Sequence, residues 1–179
     1  MGGHIHVESK LNHGTTFKIE LEFEMVAERV DCKECIKESI TEESLSGRHF
    51  LLVEDNAINS EILGELLQMR GATYVLKENG LEAVEEFKSS TQGTYDAILM
   101  DIQMPVMNGY DATREIRRLP RHDAKEIVIV AMTANAFCED VQQAMEAGMN
   151  GHIAKPVDMN LLSNTLTELL KAEKVDIKA

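Results

Sequence analysis

The 179-residue chain predicts a doubly wound α/β fold over most of its length. The expected core is a flavodoxin-like, five-stranded parallel sheet in the order 2-1-3-4-5, with helices on both faces. Three observations predict it. From His49 on, short apolar runs alternate with segments whose apolar residues recur at helical spacing, which is the pattern of successive βαβ units. The runs are apolar throughout rather than alternating, as strands covered on both faces must be. Gly71 and Gly148 end two of the helical segments, as glycine does just past a helix C-terminus.

Each element follows in order. His49-Phe-Leu-Leu-Val is the first strand. Ile58, Ile62, Leu66 and Met69 recur at helical spacing and mark the first helix, stopped by Gly71. Thr73-Tyr-Val-Leu is the second strand, and a helix begins after Asn79-Gly80 with Leu81, Val84 and Phe87 inward. Ala97 to Met100 is the third strand, followed by a helix over Tyr110 to Leu119. Ile127-Val-Ile-Val-Ala is the fourth strand, and Phe137, Val141 and Met145 mark the fourth helix, which Gly148 ends. A short fifth strand at His152 to Ala154 and a final helix carrying Leu162, Leu166 and Leu169 complete the series.

Ahead of this unit the pattern changes. Residues 1–27 alternate with a period of two, as in Ile5-His-Val-Glu and Phe17-Lys-Ile-Glu-Leu, and read as two strands around a turn at Asn12-His-Gly-Thr. One hairpin buries too little surface to be stable by itself, so it is expected to pack on something else. Residues 28–47 are rich in Glu, Lys and Ser and read as a linker. The main domain is expected over 48–173, with 174–179 as a tail.

Composition limits the function. A formal net charge of -13 repels phosphate backbones and anionic lipid, so neither a nucleic acid nor direct membrane contact is expected. The acidity suits divalent cations and protein partners. No apolar run approaches membrane-spanning length, and the start Met-Gly-Gly-His-Ile-His has no signal-peptide pattern. A cytoplasmic setting is expected, with a parent protein that is free to be membrane-anchored. Three cysteines do not make a disulfide framework, and Cys32 with Cys35 form a lone C-x-x-C read as linker thiols.

The chemistry gathers at the predicted strand ends. The first strand runs into Glu54-Asp55, the third into Asp101, the fourth into Thr133 and the fifth into Lys155. The carboxyl edge at the switch between the first and third strands is where ligands bind in such folds. Asp101 alone would be an ordinary strand-terminating turn residue, Thr133 a plain strand-end residue and Lys155 a solvated cation. Together they place three carboxylates, a hydroxyl and an ammonium at one edge. Like charges so close are costly, and a hard cation such as Mg²⁺, which takes oxygen ligands, removes the conflict. Such a site suits phosphoryl transfer, in which positioning and charge neutralisation carry most of the catalysis. A carboxylate nucleophile then forms an acyl phosphate.

Leu51-Leu-Val-Glu-Asp-Asn, Leu99-Met-Asp-Ile-Gln-Met-Pro-Val-Met-Asn-Gly, Ala131-Met-Thr-Ala and Ala154-Lys-Pro strongly resemble the receiver domain of two-component signalling proteins. The resemblance implies that Asp101 is the phosphoacceptor, that Thr133 is the switch hydroxyl and that Lys155 pairs with the phosphoryl group. It implies Mg²⁺ at Glu54, Asp55, Asp101 and the carbonyl of Gln103, with Asp55 the more direct ligand of the acidic pair. It also implies a cis peptide before Pro156. One position departs from the pattern: His152 stands where many receivers carry Tyr or Phe. The segments Gly2-Gly-His-Ile-His-Val-Glu-Ser-Lys and Gly14-Thr-Thr-Phe-Lys-Ile-Glu-Leu look like the last two strands of a histidine-kinase ATPase domain. The chain therefore resembles the carboxyl-terminal part of a hybrid sensor histidine kinase.

That resemblance implies a phosphorelay role. Asp101 takes a phosphoryl group from phosphohistidine on a histidine kinase dimerisation domain and passes it to a histidine phosphotransfer protein. No histidine here is followed by Glu, so the usual donor motif is missing, as are the Gly-rich parts of an ATP site. Only phosphoryl acceptance and slow autodephosphorylation are expected of the fragment. Other readings fit these residues less well. A Mg²⁺-dependent aspartyl-phosphate phosphohydrolase needs an acid two residues after the nucleophile, where Gln103 stands. A flavin module of this fold would meet Glu54-Asp55 with its phosphate. A non-catalytic interaction module would not need the full residue set. Met100, Met104, Met107, Met132, Met145 and Met149 read as core and loop filler. Arg114, Arg117, Arg118 and Arg121 read as a solvated face and loop.

Overall fold

The structure, a computed structural model, describes residues 3–10, 14–21, 45–134 and 138–176. The expectations for Phe137, Cys32, Cys35 and the greater part of 28–47 lie outside the described residues. The chain divides into two compact units, Met1–Ile40 and Thr41–Ala179.

In the first unit, β1 (Gly3–Lys10) and β2 (Gly14–Leu21) pair antiparallel, with Ile5 opposite Ile19 and Val7 opposite Phe17. Because side chains alternate along a strand, these four share one face, and all of them are exposed. His4, His6, Lys18 and Glu20 share the other. The hairpin read from the period of two is present.

The second unit contains β3 (His49–Val53), α1 (Ala57–Met69), β4 (Thr73–Lys77), α2 (Gly80–Ser89), β5 (Ala97–Asp101) and α3 (Gly109–Arg118). It continues through α4 (Asp123–Glu126), β6 (Val128–Thr133), α5 (Cys138–Ala147), β7 (Gly151–Ala154) and α6 (Met159–Asp176). The five strands are all parallel, in the order β4-β3-β5-β6-β7. That is the expected doubly wound, flavodoxin-like arrangement. The short α4 was not anticipated. Residues of α6 continue through Asp176, and Leu45, upstream of β3, is buried in the core.

The strand alternation divides the core in two. Leu51, Val53, Ile98, Met100 and Ile129 point to one face, packed against residues such as Phe87, Ala112 and Ile116. Phe50, Leu52, Leu99, Val130 and Met132 point to the other, packed against Leu63, Leu67, Leu162 and Leu166. Each fully buried side chain of this size contributes about 1.5–3 kcal/mol. Most of the fold's stabilisation therefore lies directly behind the strands that end at the candidate site.

The helices are where expected, but several bury a different stripe. In α1 the buried residues are Ser60, Leu63, Gly64 and Leu67, whereas Ile58, Ile62 and Met69 are 67%, 53% and 81% exposed. In α2 the buried face is Gly80, Ala83 and Phe87; Leu81, expected inward, is exposed, as is Met145 of α5, expected as filler. A helix lying close on a sheet needs small residues at the contact, and these helices use Gly64, Ala83 and Ala144. A Cβ on Gly64 would lie 2.2 Å from Tyr74 Oη, so it could be added only if the Tyr74 side chain moved.

The arginines also differ from the expectation. Arg114 and Arg118 sit on the solvent side with pairs to Asp111 and Glu115. Arg117, in contrast, donates to the carbonyls of Gly148 and Ala124 and to Asn150 Oδ1. Arg121 lies 4.3 Å over the Phe87 ring, donates to the carbonyls of Phe87 and Ser90 and pairs with Asp123 at 2.7 Å. Its side chain is 9% exposed. These two join the ends of helices rather than forming a solvated face.

Candidate functional site

Four of the five strands deliver a polar residue to the same edge. Glu54 and Asp55 follow β3 directly, Asp101 is the last residue of β5, Thr133 the last of β6, and Lys155 follows β7. The strand registers align them, with Asp101 opposite Met132 and Thr133 opposite Ala154. Beyond the ladder, Glu54 N donates to Lys77 O at 3.0 Å and Lys155 N to Thr133 O at 2.7 Å. Glu54, Asp55, Asp101, Thr133 and Lys155, predicted from the sequence, therefore lie at this edge, and Gln103 lies two residues beyond it. Glu54, Asp101 and Thr133 are buried and Asp55 is exposed.

Lys155 bridges two of the carboxylates. Its Nζ lies 2.6 Å from Glu54 Oε2 and 2.7 Å from Asp101 Oδ2. The other Asp101 oxygen, Oδ1, accepts from the backbone N–H of Gln103 at 3.2 Å. Burial pushes the Asp101 carboxyl above the ordinary aspartate range, with the Lys155 ammonium opposing that rise. Burial alone would lower Lys155, but its hydrogen bonds to Asp101 and Glu54 outweigh it and hold the ammonium above its usual value. The peptide bond between Lys155 and Pro156 is cis, as expected. His152, at the expected aromatic position, is half-buried on β7 beside Ala131.

The charge balance favours a cation. Glu54, Asp55 and Asp101 each present a carboxylate oxygen, all within 4.8 Å of one another. Lys155 is the one ammonium in contact with them among the described residues, which leaves two negative charges uncompensated. An all-oxygen donor set with surplus negative charge fits a hard divalent ion. Asp55, Asp101 and Gln103, whose carbonyl lies in the adjoining loop, could hold one, with Glu54 beside them.

The loop after Asp101 is folded tightly against the edge. Asn108 caps α3 through Asp111 N at 2.9 Å, Gly109 N donates to Ile102 O at 3.0 Å, and Gly80 N donates to Met107 O at 3.1 Å. A Cβ on Gly109 would lie 2.2 Å from the Asp101 carbonyl oxygen. Val106 has φ 68°, and Met107 N closes a three-residue turn around it onto Pro105 O at 2.7 Å, a strained conformation for a β-branched residue.

Three participants were not read from the sequence. Asn59 of α1 donates to Glu54 Oε1 at 3.0 Å; its spacing of five from Glu54 was the only signal. Gly109 looks like an ordinary loop residue in the sequence, and only the close approach of two backbone segments reveals its need. The third is the outward stripe of α1. Ile62 and Leu66 face Pro156 and Val157 across a groove of about 130 Å³, with Asn59 and Lys155 among its lining.

Comparisons with known proteins agree with this geometry. Residues 50–167 match the response regulator receiver domain family. The peroxide stress-activated histidine kinase mak1 of Schizosaccharomyces pombe is 38% identical over 126 residues, a match covering 70% of this chain and 8% of that kinase. The chain thus spans a small part of the length of this relative. The receiver domain of sensor histidine kinase PA1611 from Pseudomonas aeruginosa, solved with magnesium coordinated in its active-site cleft, is 37% identical with a TM-score of 0.63. That match covers 70% of this chain and 99% of the solved one. The receiver domain of Ssk1 from Saccharomyces cerevisiae, crystallised with the histidine phosphotransfer protein Ypd1, is 35% identical with a TM-score of 0.60 and covers 68% and 88%. With the family match spanning well over half of its residues and the acidic, hydroxyl and Lys positions gathered at one sheet edge, the chain belongs to the response regulator receiver domain family.

Proposed function

We propose that this chain is the receiver of a phosphorelay in which Asp101 is the phosphoacceptor. The observation that carries the reading is a buried Asp101 carboxylate 2.7 Å from Lys155 Nζ, within a three-carboxylate cluster at the sheet's carboxyl edge. A carboxylate oxygen of Asp101 attacks the phosphorus of a phosphohistidine. The new O–P bond forms as the P–N bond breaks, and the imidazole nitrogen keeps the electron pair and takes up a proton. Lys155 neutralises charge on the transferred group, and the Thr133 hydroxyl donates to one of its oxygens. The reverse chemistry, onto a second histidine, passes the group along.

Mg²⁺ is the cofactor the site fits. Asp55, Asp101 and the Gln103 carbonyl would hold it, and once bound it offsets the charge of carboxylates and phosphoryl group together. Glu54, with both carboxylate oxygens already engaged by Lys155 and Asn59, stands behind these ligands.

The partners are the phosphohistidine domain of a histidine kinase and a histidine phosphotransfer protein, in line with the Ypd1 complex of the Ssk1 receiver. The exposed apolar stripe of α1, Ile58 and Ile62 foremost, begins three residues after Asp55 and supports this reading. Any protein delivering a histidine to Asp101 must cover this edge, and the stripe offers it apolar contact. The formal net charge of -13 disfavours nucleic acid and anionic membrane as partners, and among the described residues no helix is long and apolar enough to cross a membrane. The setting is cytoplasmic. The parent is a hybrid sensor kinase, in which β1 and β2 are the last strands of the ATPase domain, residues 28–47 are the linker and 48–173 the receiver. The apolar face of Ile5, Val7, Phe17 and Ile19 then packs on the rest of that domain.

The test uses a small phosphodonor with Mg²⁺ and measures hydroxylamine-sensitive phosphate on the chain. Wild type should label and Asp101→Asn should not. Equal labelling of the two would overturn the assignment.

A further inference from the structure

Glu54 is the most enclosed carboxylate of the cluster, 2% exposed, and both of its oxygens are engaged. Oε2 receives Lys155 Nζ at 2.6 Å, and Oε1 receives the side-chain amide of Asn59 at 3.0 Å. Donors on both oxygens fix the rotation of a carboxylate, whereas a single donor leaves it free to turn about a soft terminal torsion. Asn59 can reach Glu54 because α1 starts so soon after β3. Its own backbone is held in place as well, since Asn59 N donates to Asn56 Oδ1 at 3.2 Å in the cap of α1. The side chain is otherwise on the exposed surface of the helix, so no packing requirement explains it.

We infer that Asn59 is a positioning residue for the phosphoacceptor site, a role that rests on Asp101 being that acceptor. Its amide pins Glu54 so that Oε2 faces Lys155, and Glu54 in turn holds the ammonium against Asp101 Oδ2. The chain of contacts runs Asn59, Glu54, Lys155, Asp101, from the first turn of α1 to the end of β5. Without the amide, Glu54 Oε1 faces a site already in excess of negative charge and the carboxylate turns. Lys155 then keeps one fixed anchor instead of two and its aim at the transferred group loosens. Asn59 touches neither the phosphoryl group nor the metal, so its loss slows the chemical step while leaving phosphodonor binding in place.

The test compares the full chain with Asn59→Ala and with the isosteric Asn59→Asp, using a small phosphodonor at saturating Mg²⁺. The maximal phosphorylation rate should fall about tenfold or more in Asn59→Ala, the order expected for one hydrogen bond to a charged group. It should fall further in Asn59→Asp, which adds a like charge. The phosphodonor half-saturation should stay within about twofold of wild type in both. A readout independent of activity is the Asn59 side-chain amide signal in a ¹⁵N spectrum, which should be shifted and slow to exchange, and should revert to that of a solvated amide in Glu54→Ala. Wild-type rates in both Asn59 variants, or a solvated amide signal in the wild type, would overturn the proposal. Labelling of Asp101→Asn equal to wild type would instead remove the acceptor reading beneath it, and with it this role, while the amide signal would still report the Asn59–Glu54 contact.

Discussion

Replacing Gly109 by Ala should slow phosphorylation far more than it unfolds the protein. A Cβ at this position would lie 2.2 Å from the Asp101 carbonyl oxygen, 3.0 Å from Met100 Cγ and 3.1 Å from the Asp101 carbonyl carbon. Comfortable carbon–oxygen approach begins near 3.3 Å, so one backbone segment must move by about 1 Å. Neither segment moves freely. Asp101 is tied into the sheet beside β6, and Gly109 N holds Ile102 O at 3.0 Å. Forced overpacking costs about 1–3 kcal/mol, and the better helix propensity of Ala returns up to about 1 kcal/mol of it. The net loss should be about 1–2 kcal/mol, read as a lower urea midpoint. A displacement of this size at the reacting group costs on the order of 100-fold in rate. Gly64→Ala is the matched comparison. It places a Cβ equally close, 2.2 Å from Tyr74 Oη and 2.4 and 2.9 Å from its Cζ and Cε1, but these atoms belong to the outer ring of a half-buried side chain that can swing away. Gly64→Ala should keep the wild-type phosphorylation rate and stay within about 1 kcal/mol of wild-type stability. A wild-type rate in Gly109→Ala, or equal losses of rate in both variants, would refute the reasoning.

Two further predictions concern the α1 stripe and the Arg121 clamp. Ile62→Asp should reduce phosphoryl transfer from a histidine phosphotransfer partner by about tenfold or more and leave labelling by a small phosphodonor unchanged; equal effects on both donors would remove the docking role. Asp123→Asn should cost about 1–2 kcal/mol at neutral pH, because it leaves the enclosed Arg121 guanidinium without its counter-charge. The Arg121 guanidinium holds the Asp123 carboxyl below the ordinary aspartate range, so this stabilisation is present above that range and is lost as the pH falls through the lowered folded value. The gap between the urea midpoints of wild type and variant should therefore close in acid, and a gap independent of pH would contradict the ion-pair account.

The sheet and its edge were legible in the sequence because they depend on signals of short range. Continuous runs such as Leu51 to Val53 and Ala97 to Met100, alternating with helical patterns, read as strands covered on both faces. Once the strand order is set, Glu54, Asp101, Thr133 and Lys155 must fall at one edge. Which face each helix buries was less legible. In α1 the stripe of Ile58, Ile62 and Leu66 is more apolar than the buried stripe of Ser60, Leu63, Gly64 and Leu67. Hydrophobicity therefore pointed to the wrong side, since the sheet contact is decided by how closely the helix must approach. A mismatch of this kind between local pattern and burial is expected where a surface has a function. Contacts made by polar side chains at a distance were not legible at all. Nothing local ties Arg117 to Gly148 and Asn150, because only the folded chain brings those carbonyl and amide groups together.

The central claim is that a phosphoryl group comes to rest on Asp101. The most direct measurement treats the full chain with a phosphorylated histidine phosphotransfer protein and Mg²⁺, reduces the acyl phosphate with borohydride, and maps the reduced residue by peptide mass spectrometry. Reduction at Asp101 alone, absent when Mg²⁺ is chelated, is the predicted result. Reduction at Asp55 or Glu54, or none anywhere while the donor still loses its phosphoryl group to the chain, would contradict it.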